Sequence, residues 1–233
     1  MAMKLYSGDL SPYSARVRMQ IYAKGISDIQ LERPPGFPLE EWRKVSPIGR
    51  IPVLKLEDGT LIAESEVIAE YLEETYPEPR LLGATPVETA RIRTVSRMAD
   101  IYLMNNMFQI SGQSNRATRN EGLRDHLAGG VIRNVKALEH YIGEDGFAVS
   151  GRLTIADCSL VPALFVIQNV LPTTDVEDPI PTSPKVAAYW AAIQKNEHAE
   201  AILVELYRGL EERRELIRRM NAKAKEQAAA AAS

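Results

Sequence analysis

The chain has 233 residues, 45% of them hydrophobic and 25% charged, long enough to bury a full core as one large domain or two smaller ones. Its net charge of -3 at pH 7 argues against a dedicated nucleic-acid binder, which carries a basic face. A single cysteine, Cys158, excludes an intramolecular disulfide and any cysteine-rich metal site.

Taken in chain order, MKLYS (residues 3–7) reads as a short strand, and residues 12–24 as a helix with Tyr13, Val17 and Ile21 on one face and Gly25 as its stop. DIQLE (28–32) alternates as a second strand. PPGFPLEEW (34–42) is a proline-rich loop entering a short helix, and IPVLKLEDGTLIA (51–63) is a hairpin turning on Asp58 and Gly59. A helix over 65–76 closes the unit with Val67, Ile68, Tyr71 and Leu72 as its apolar positions. The order is βαβαββα. EPRLLGATP (78–86) concentrates proline and glycine and reads as a linker. Beyond it strand signals vanish. Helical periods run over 88–110 and 124–142, and further helices start at Ile155, Pro184 and Glu197. KAKEQAAAAAS (223–233) is the one low-complexity piece, a helical or disordered tail. The opening MAMKLYSGDL has no signal-peptide run, and no stretch reads as a membrane span, so a cytoplasmic location without membrane or nucleic-acid partners is expected.

Three short motifs carry candidate chemistry. In SPYSARVRM (11–19), Ser11 and Ser14 stand where a thiol-disulfide oxidoreductase carries the two cysteines of C-x-x-C. Ser11 followed by Pro12 is also an ordinary N-cap with proline in the first turn. A hydroxyl there is placed to donate to an anion held at the helix N-terminus. In SPIGRIPVL (46–54), Pro52 stands before a strand, either as an edge-strand proline or as a cis bond. A cis bond would turn the Ile51 backbone toward an extended peptide ligand. In LIAESEVIAEYL (61–72), Glu64 and Ser65 are either a plain helix start or a site for a zwitterionic head group, with backbone donors for its carboxylate and an acid for its ammonium. A fourth motif, Thr154-x-x-Asp157, is a capping box whose role is folding. Cys158, beside it, reads as a small buried hydrophobe.

The segments S-P-Y-S-A-R-V-R, P-I-G-R-I-P-V-L, E-S-E-V-I-A-E-Y-L and G-R-L-T-I-A-D, in that order and spacing, resemble the cytosolic glutathione transferases of serine type, bacterial or zeta-like, over about residues 3–210. The resemblance implies an α/β thioredoxin-like N-terminal domain (βαβαββα) at 1–80, an all-α C-terminal helical domain at 87–210, and a tail at 211–233. It implies that Ser11 donates a hydrogen bond to the sulfur of glutathione, a co-substrate, with no metal involved. The Ile51 backbone before Pro52 would hold the cysteinyl part, and Glu64 and Ser65 the γ-glutamyl head. The reactive sulfur is then the ligand's own. A thiol of pKa about 8.5 is only a few per cent ionised at neutral pH, so a donor and a helix N-terminus suffice to raise the nucleophile tenfold or more.

Arg50 is a candidate for the glycyl carboxylate. Leu10, Tyr13, Met104 and Phe108 are candidates for an electrophile pocket, suiting an apolar or aromatic partner molecule. The expected activity is thioether formation with such an electrophile, a detoxification type of transfer. Alternatives are a maleylpyruvate or maleylacetoacetate type of cis-trans isomerisation, a glutathione-dependent ether lyase, and a non-catalytic interaction module of the same fold. A homodimer through the helices starting near Ser65 and Glu88 is expected from the excess of apolar positions on the second, with Asp100 approaching the neighbouring glutathione head group.

Overall fold

Four short strands, β1 (Met3–Tyr6), β2 (Ile29–Glu32), β3 (Val53–Lys55) and β4 (Leu61–Ala63), form one mixed sheet in the order β2-β1-β3-β4. The computed structural model describes residues 2–34 and 39–231. The proline-rich loop expected at 34–42 lies outside the described residues at 35–38. β1 pairs in parallel with β2, Leu5 opposite Leu31, and antiparallel with β3, Leu5 opposite Leu54. The β3–β4 hairpin turns where expected: Gly59 has φ +92, a conformation glycine adopts without strain, and the Asp58 carboxylate accepts from the Thr60 N–H at 2.8 Å.

Helix α1 (Pro12–Ala23) is the element on which both halves of the chain are built. Its periodicity suggests one apolar face, yet every residue from 14 to 21 is buried. The reason is that α1 has two partners. Val17 and Ile21 join Leu5, Leu54, Ile68 and Leu72 in a cluster against the sheet and α3 (Ser65–Thr75), while Ala15 and Met19 join the larger core of the helical half. A helix covered on opposite sides must bury even its charged side chains, and Arg16 and Arg18 are 3% and 2% exposed. The short α2 (Leu39–Val45) places Trp42 edge-on against Tyr6, with ring centroids 5.3 Å apart.

The helical half differs from the sequence reading in its boundaries. The helix expected over 88–110 begins earlier, as α4 (Pro86–Arg97), because Thr85 Oγ1 accepts from the Glu88 N–H at 3.2 Å and the Glu88 carboxylate accepts from the Ala84 N–H at 2.8 Å. It then widens into a π-helical segment (Met98–Met104) and resumes as α5 (Asn105–Ser111). Likewise α6 runs Glu121–Leu138 rather than 124–142, since Asn120 caps it by accepting from the Leu123 N–H at 3.0 Å. Helices α7 (Ile155–Val170), α8 (Pro184–Ile193) and α9 (Glu197–Ala231) start where expected, and the tail is helical through Ala231.

By length and hydropathy alone, one stretch departs from the expectation of no membrane span. The 20 residues Ile155–Thr174, with mean hydropathy 1.5, are long and apolar enough to match a membrane span, but 78% of that window is buried. They form the central helix of the core. At its start the capping box is closed. Asp157, fully buried, accepts from the Thr154 N–H and the Ala148 N–H at 2.8 Å each and from the Thr154 hydroxyl at 3.0 Å.

The stretch read as a linker is pinned from within. The fully buried Lys24 ammonium donates to Tyr76 O at 2.7 Å and Pro79 O at 2.8 Å, and pairs with Glu73 at 2.9 Å. Glu73 in turn accepts from the Leu81 N–H at 3.1 Å, and Arg152 donates to Arg80 O and Leu82 O.

Candidate functional site

The residues between β1 and α1 bring the first motif to the edge of the sheet. Ser11 is the N-cap of α1, half-buried, its Oγ accepting from the Ser14 N–H at 3.2 Å, with Pro12 in the first turn. No acidic side chain lies in that first turn. The positive end of the helix therefore meets no carboxylate of its own turn, and an anion at Ser11 is favoured. Ser14, the other serine in a cysteine position, is fully buried.

The second motif lies against this loop. The Ile51–Pro52 bond is cis, and a Cβ on Gly8 would meet Ile51 Cδ1 at 3.1 Å, so the residue before the cis bond packs onto the strand of chain that leads to Ser11. Arg50 is exposed at the rim, its carbonyl and N–H tied to the Ser46 hydroxyl at 2.9 and 3.2 Å.

The third motif departs from a plain helix start. Glu64, exposed, has φ 68 and ψ 117, a left-handed backbone conformation unfavourable for a side chain with a Cβ, and its carboxylate does not cap α3. Ser65 is correspondingly the first helical residue rather than the cap. Its buried hydroxyl accepts from Arg16 Nη1 at 3.3 Å.

Arg16 was not singled out by its sequence, where a charged helical residue reads as solvated. It is the node of the site: besides Ser65, Nη1 donates to Glu66 at 2.8 Å and to Asp100 Oδ2 at 3.1 Å, and Nη2 pairs with Asp100 Oδ1. Glu66 also accepts from Ser96, whose hydroxyl meets that of Ser159 at 2.7 Å. Asp100, expected to approach a neighbouring protomer's glutathione, pairs within its own chain with Arg16 and Arg97.

Tyr13 joins these parts. Burial pushes its phenol pKa up, with Asp100 and Glu64 acting in the same direction against Arg16 and Arg50, and the Arg16 guanidinium carbon stands 6.0 Å from the ring centroid. Its ring stacks on Phe108, with centroids 5.5 Å apart and planes 13° from parallel. Phe108 is 45% exposed and Leu10 half-buried, so both remain candidates for an apolar wall. Met104 does not. It is 3% exposed and sits in the core beside the inward stripe of Leu103, Met107 and Ile110, while Phe108 lies a step further round the helix. Cys158 is fully buried, and burial pushes its thiol pKa far up, which leaves it a neutral core residue. Among the described residues, no group of three or more His, Cys, Asp or Glu side chains is gathered as metal ligands. An open cavity of about 890 Å³ lies elsewhere, on the outer side of α4 between Arg93, Arg97, Tyr102 and Tyr141.

With this geometry in hand, comparison with known proteins is informative. Residues 5–80 match the glutathione S-transferase N-terminal domain and residues 121–192 the glutathione S-transferase C-terminal domain. A maleylacetoacetate isomerase from Pseudomonas aeruginosa is 32% identical over 72% of this chain and 82% of its own length. Glutathione S-transferase 2 from Saccharomyces cerevisiae is 30% identical over 70% of this chain and 75% of its own. Among solved structures, a glutathione transferase family member from Pseudomonas fluorescens with bound glutathione superposes with a TM-score of 0.74 at 21% identity, covering 86% of this chain and 98% of that one. The two matched domains, the relatives and the mixed sheet beside a helical half lead to one conclusion: the chain belongs to the glutathione S-transferase family and is a glutathione-dependent enzyme.

Proposed function

We propose that the protein joins the thiolate of glutathione to a small apolar or aromatic electrophile, giving a thioether. The observation that carries this reading is Ser11, a hydroxyl at a helix N-terminus free of acidic side chains in its first turn. It donates to the glutathione sulfur and, with the helix dipole, favours thiolate over thiol. The Ile51 backbone holds the cysteinyl part, Arg50 the glycyl carboxylate, and Glu64 with the α3 N-terminus the γ-glutamyl head, where Asp100 acts through Arg16 on Ser65. Solved relatives carrying bound glutathione support the use of this ligand. Without a cysteine at position 11, no mixed disulfide forms there, which disfavours thiol-transfer chemistry. The pair Tyr13 and Phe108, with Leu10, supplies a flat apolar wall for an aromatic electrophile. The enzyme works as a cytoplasmic homodimer with domains at 1–80 and 87–210.

The maleylacetoacetate isomerase relatives favour a second reading, reversible addition of glutathione to a cis double bond. A dianionic substrate needs cations, and at this site Arg16 is already matched by Glu66 and Asp100. Incubation with glutathione and, separately, an activated aryl halide, maleylacetoacetate and a β-aryl ether separates the readings. A thioether from the halide is expected. Isomerised maleylacetoacetate without thioether overturns the proposal for the isomerase, and cleaved ether for a lyase. Ser11→Ala is expected to lower turnover at neutral pH about tenfold or more while glutathione affinity changes little, as read from a pH-rate profile beside a binding titration. Unchanged turnover removes Ser11 from the catalytic role.

A further inference from the structure

The segment that delivers Ser11, residues 7–10, is gripped from two sides. From within α1, Arg18 Nη1 donates to Ser7 Oγ at 2.6 Å and to Gly8 O at 3.0 Å, and Nη2 donates to Asp9 O at 3.1 Å. The remaining guanidinium nitrogen, Nε, is paired at 2.6 Å with Glu205 of α9, which also accepts from the Tyr22 hydroxyl at 2.6 Å. From outside, α9 itself lies on the segment. A Cβ added at Gly209 would stand 2.6 Å from Leu10 N and 3.0 Å from both Asp9 Cβ and Leu10 Cβ, and the next residue back, Arg208, pairs with Asp9 at 2.7 Å.

Gly209 has no left-handed backbone to account for it. A glycine inside a helix costs about 1 kcal/mol relative to alanine, and here the close approach of the main chain before Ser11 is what requires it. The atom most crowded by any larger side chain is the backbone nitrogen of the residue immediately preceding Ser11.

We propose that Gly209, with Arg18 as its counterpart on the opposite side, is a positioning residue for the reaction: the C-terminal helix sets where the Ser11 hydroxyl stands by fixing residues 7–10. This rests on the reading of Ser11 as the thiolate's hydrogen-bond donor. Neither Gly209 nor Arg18 needs to touch glutathione. Hydrogen-bond strength falls steeply with misplacement, and an error of about 1 Å at a catalytic group costs up to about a hundredfold in rate. Glutathione binding, held by its two ends at other elements, is insensitive to the same shift.

The test is Gly209→Ala, alone and combined with Ser11→Ala, with Val204→Ala on the exposed side of α9 as control. The readouts are kcat, KM for glutathione, and the pKa of the bound thiol followed by the ultraviolet absorbance of its thiolate. Gly209→Ala is expected to lower kcat about tenfold and raise the bound thiol's pKa by about one unit, with KM nearly unchanged. In the Ser11→Ala background it is expected to have almost no further effect, since it acts through that hydroxyl. A folded Gly209→Ala with ordinary kcat and thiol pKa overturns the proposal, as does an equal loss in both backgrounds. If instead Ser11→Ala alone behaves as the parent enzyme, the reading of Ser11 fails, a result that the single variant reports separately. Should Gly209→Ala not fold, Arg208→Ala, which adds no bulk at an exposed position, takes its place with an expected loss of about threefold in kcat. Parent values in that variant then overturn the proposal.

Discussion

Glu64 holds its backbone at φ 68 and ψ 117, a conformation that costs a residue with a side chain about 1–3 kcal/mol. Glycine lacks the Cβ that makes this conformation costly, so Glu64→Gly is expected to raise stability by about 1 kcal/mol after the extra freedom of the unfolded chain is counted, while glutathione affinity falls. Denaturant midpoints beside a binding titration check both, and a lower midpoint contradicts the strain. Asp157 is the opposite case, a residue serving the fold. Removing it leaves the Thr154 and Ala148 N–H groups buried without acceptors, so Asp157→Ala is expected to destabilise by about 3 kcal/mol, more than an ordinary cap. Burial pushes its pKa up to about 6 from the ordinary 3.8. The native state then keeps a proton that the unfolded chain has lost, so the stability this group adds is full below about pH 4 and declines as pH rises through about 6. Asp157→Asn is expected to flatten the fall in urea midpoint between those values. Ser11, Pro52, Glu64 and Asp157 were legible in the sequence because each sits where serine, proline or an acid punctuates an element. The backbone strain of Glu64 was not, since nothing in its side chain requires it.

At the scale of elements, α1 shows why part of the site escapes a linear reading. Arginines at 16 and 18 on a helix predict a solvated face, and only the layering of sheet, α1, α7 and α9 reveals that both are enclosed. An enclosed guanidinium facing two carboxylates is strongly coupled to them. Arg16→Met is expected to destabilise by about 3–5 kcal/mol, since Glu66 and Asp100 are left without their cation. Adding Asp100→Asn is expected to recover at least about 1 kcal/mol, a coupling that chemical denaturation of the four proteins measures. The helix after the linker gives a second lesson. Met104 and Phe108 share a predicted face, but the π-helical turn of Met98–Met104 and the inward stripe around Met107 send one into the core and leave the other at the stack with Tyr13. A widened turn leaves no mark in residue type that separates it from ordinary helix.

For the whole molecule, the cavity of about 890 Å³ beside α4 is bordered by Ile101, Tyr102 and Tyr141, all exposed. Apolar and aromatic side chains gathered there, with Val67 exposed on α3, suit a two-fold contact with a second copy. Light scattering is expected to give a dimer, and Ile101→Asp with Tyr102→Glu a folded monomer. A monomeric parent protein contradicts this. The division into two halves was legible from the loss of strand signals after residue 80, whereas the tie between them was not, because Arg16 and Arg18 read as solvated helix charges. Those guanidiniums, enclosed between the halves, pair with Asp100 after α4 and with Glu205 of α9. A hinge needs groups free to exchange partners, and here the carboxylates that the helical half presents to α1 are committed to buried guanidiniums. Relative swinging of the halves would break both pairs, so substrate is expected to enter through side-chain motion at the rim. The same seam makes melting a shared event: a scanning calorimeter is expected to record one cooperative heat-absorption peak with equal calorimetric and van't Hoff enthalpies, and Arg18→Met to split or broaden it.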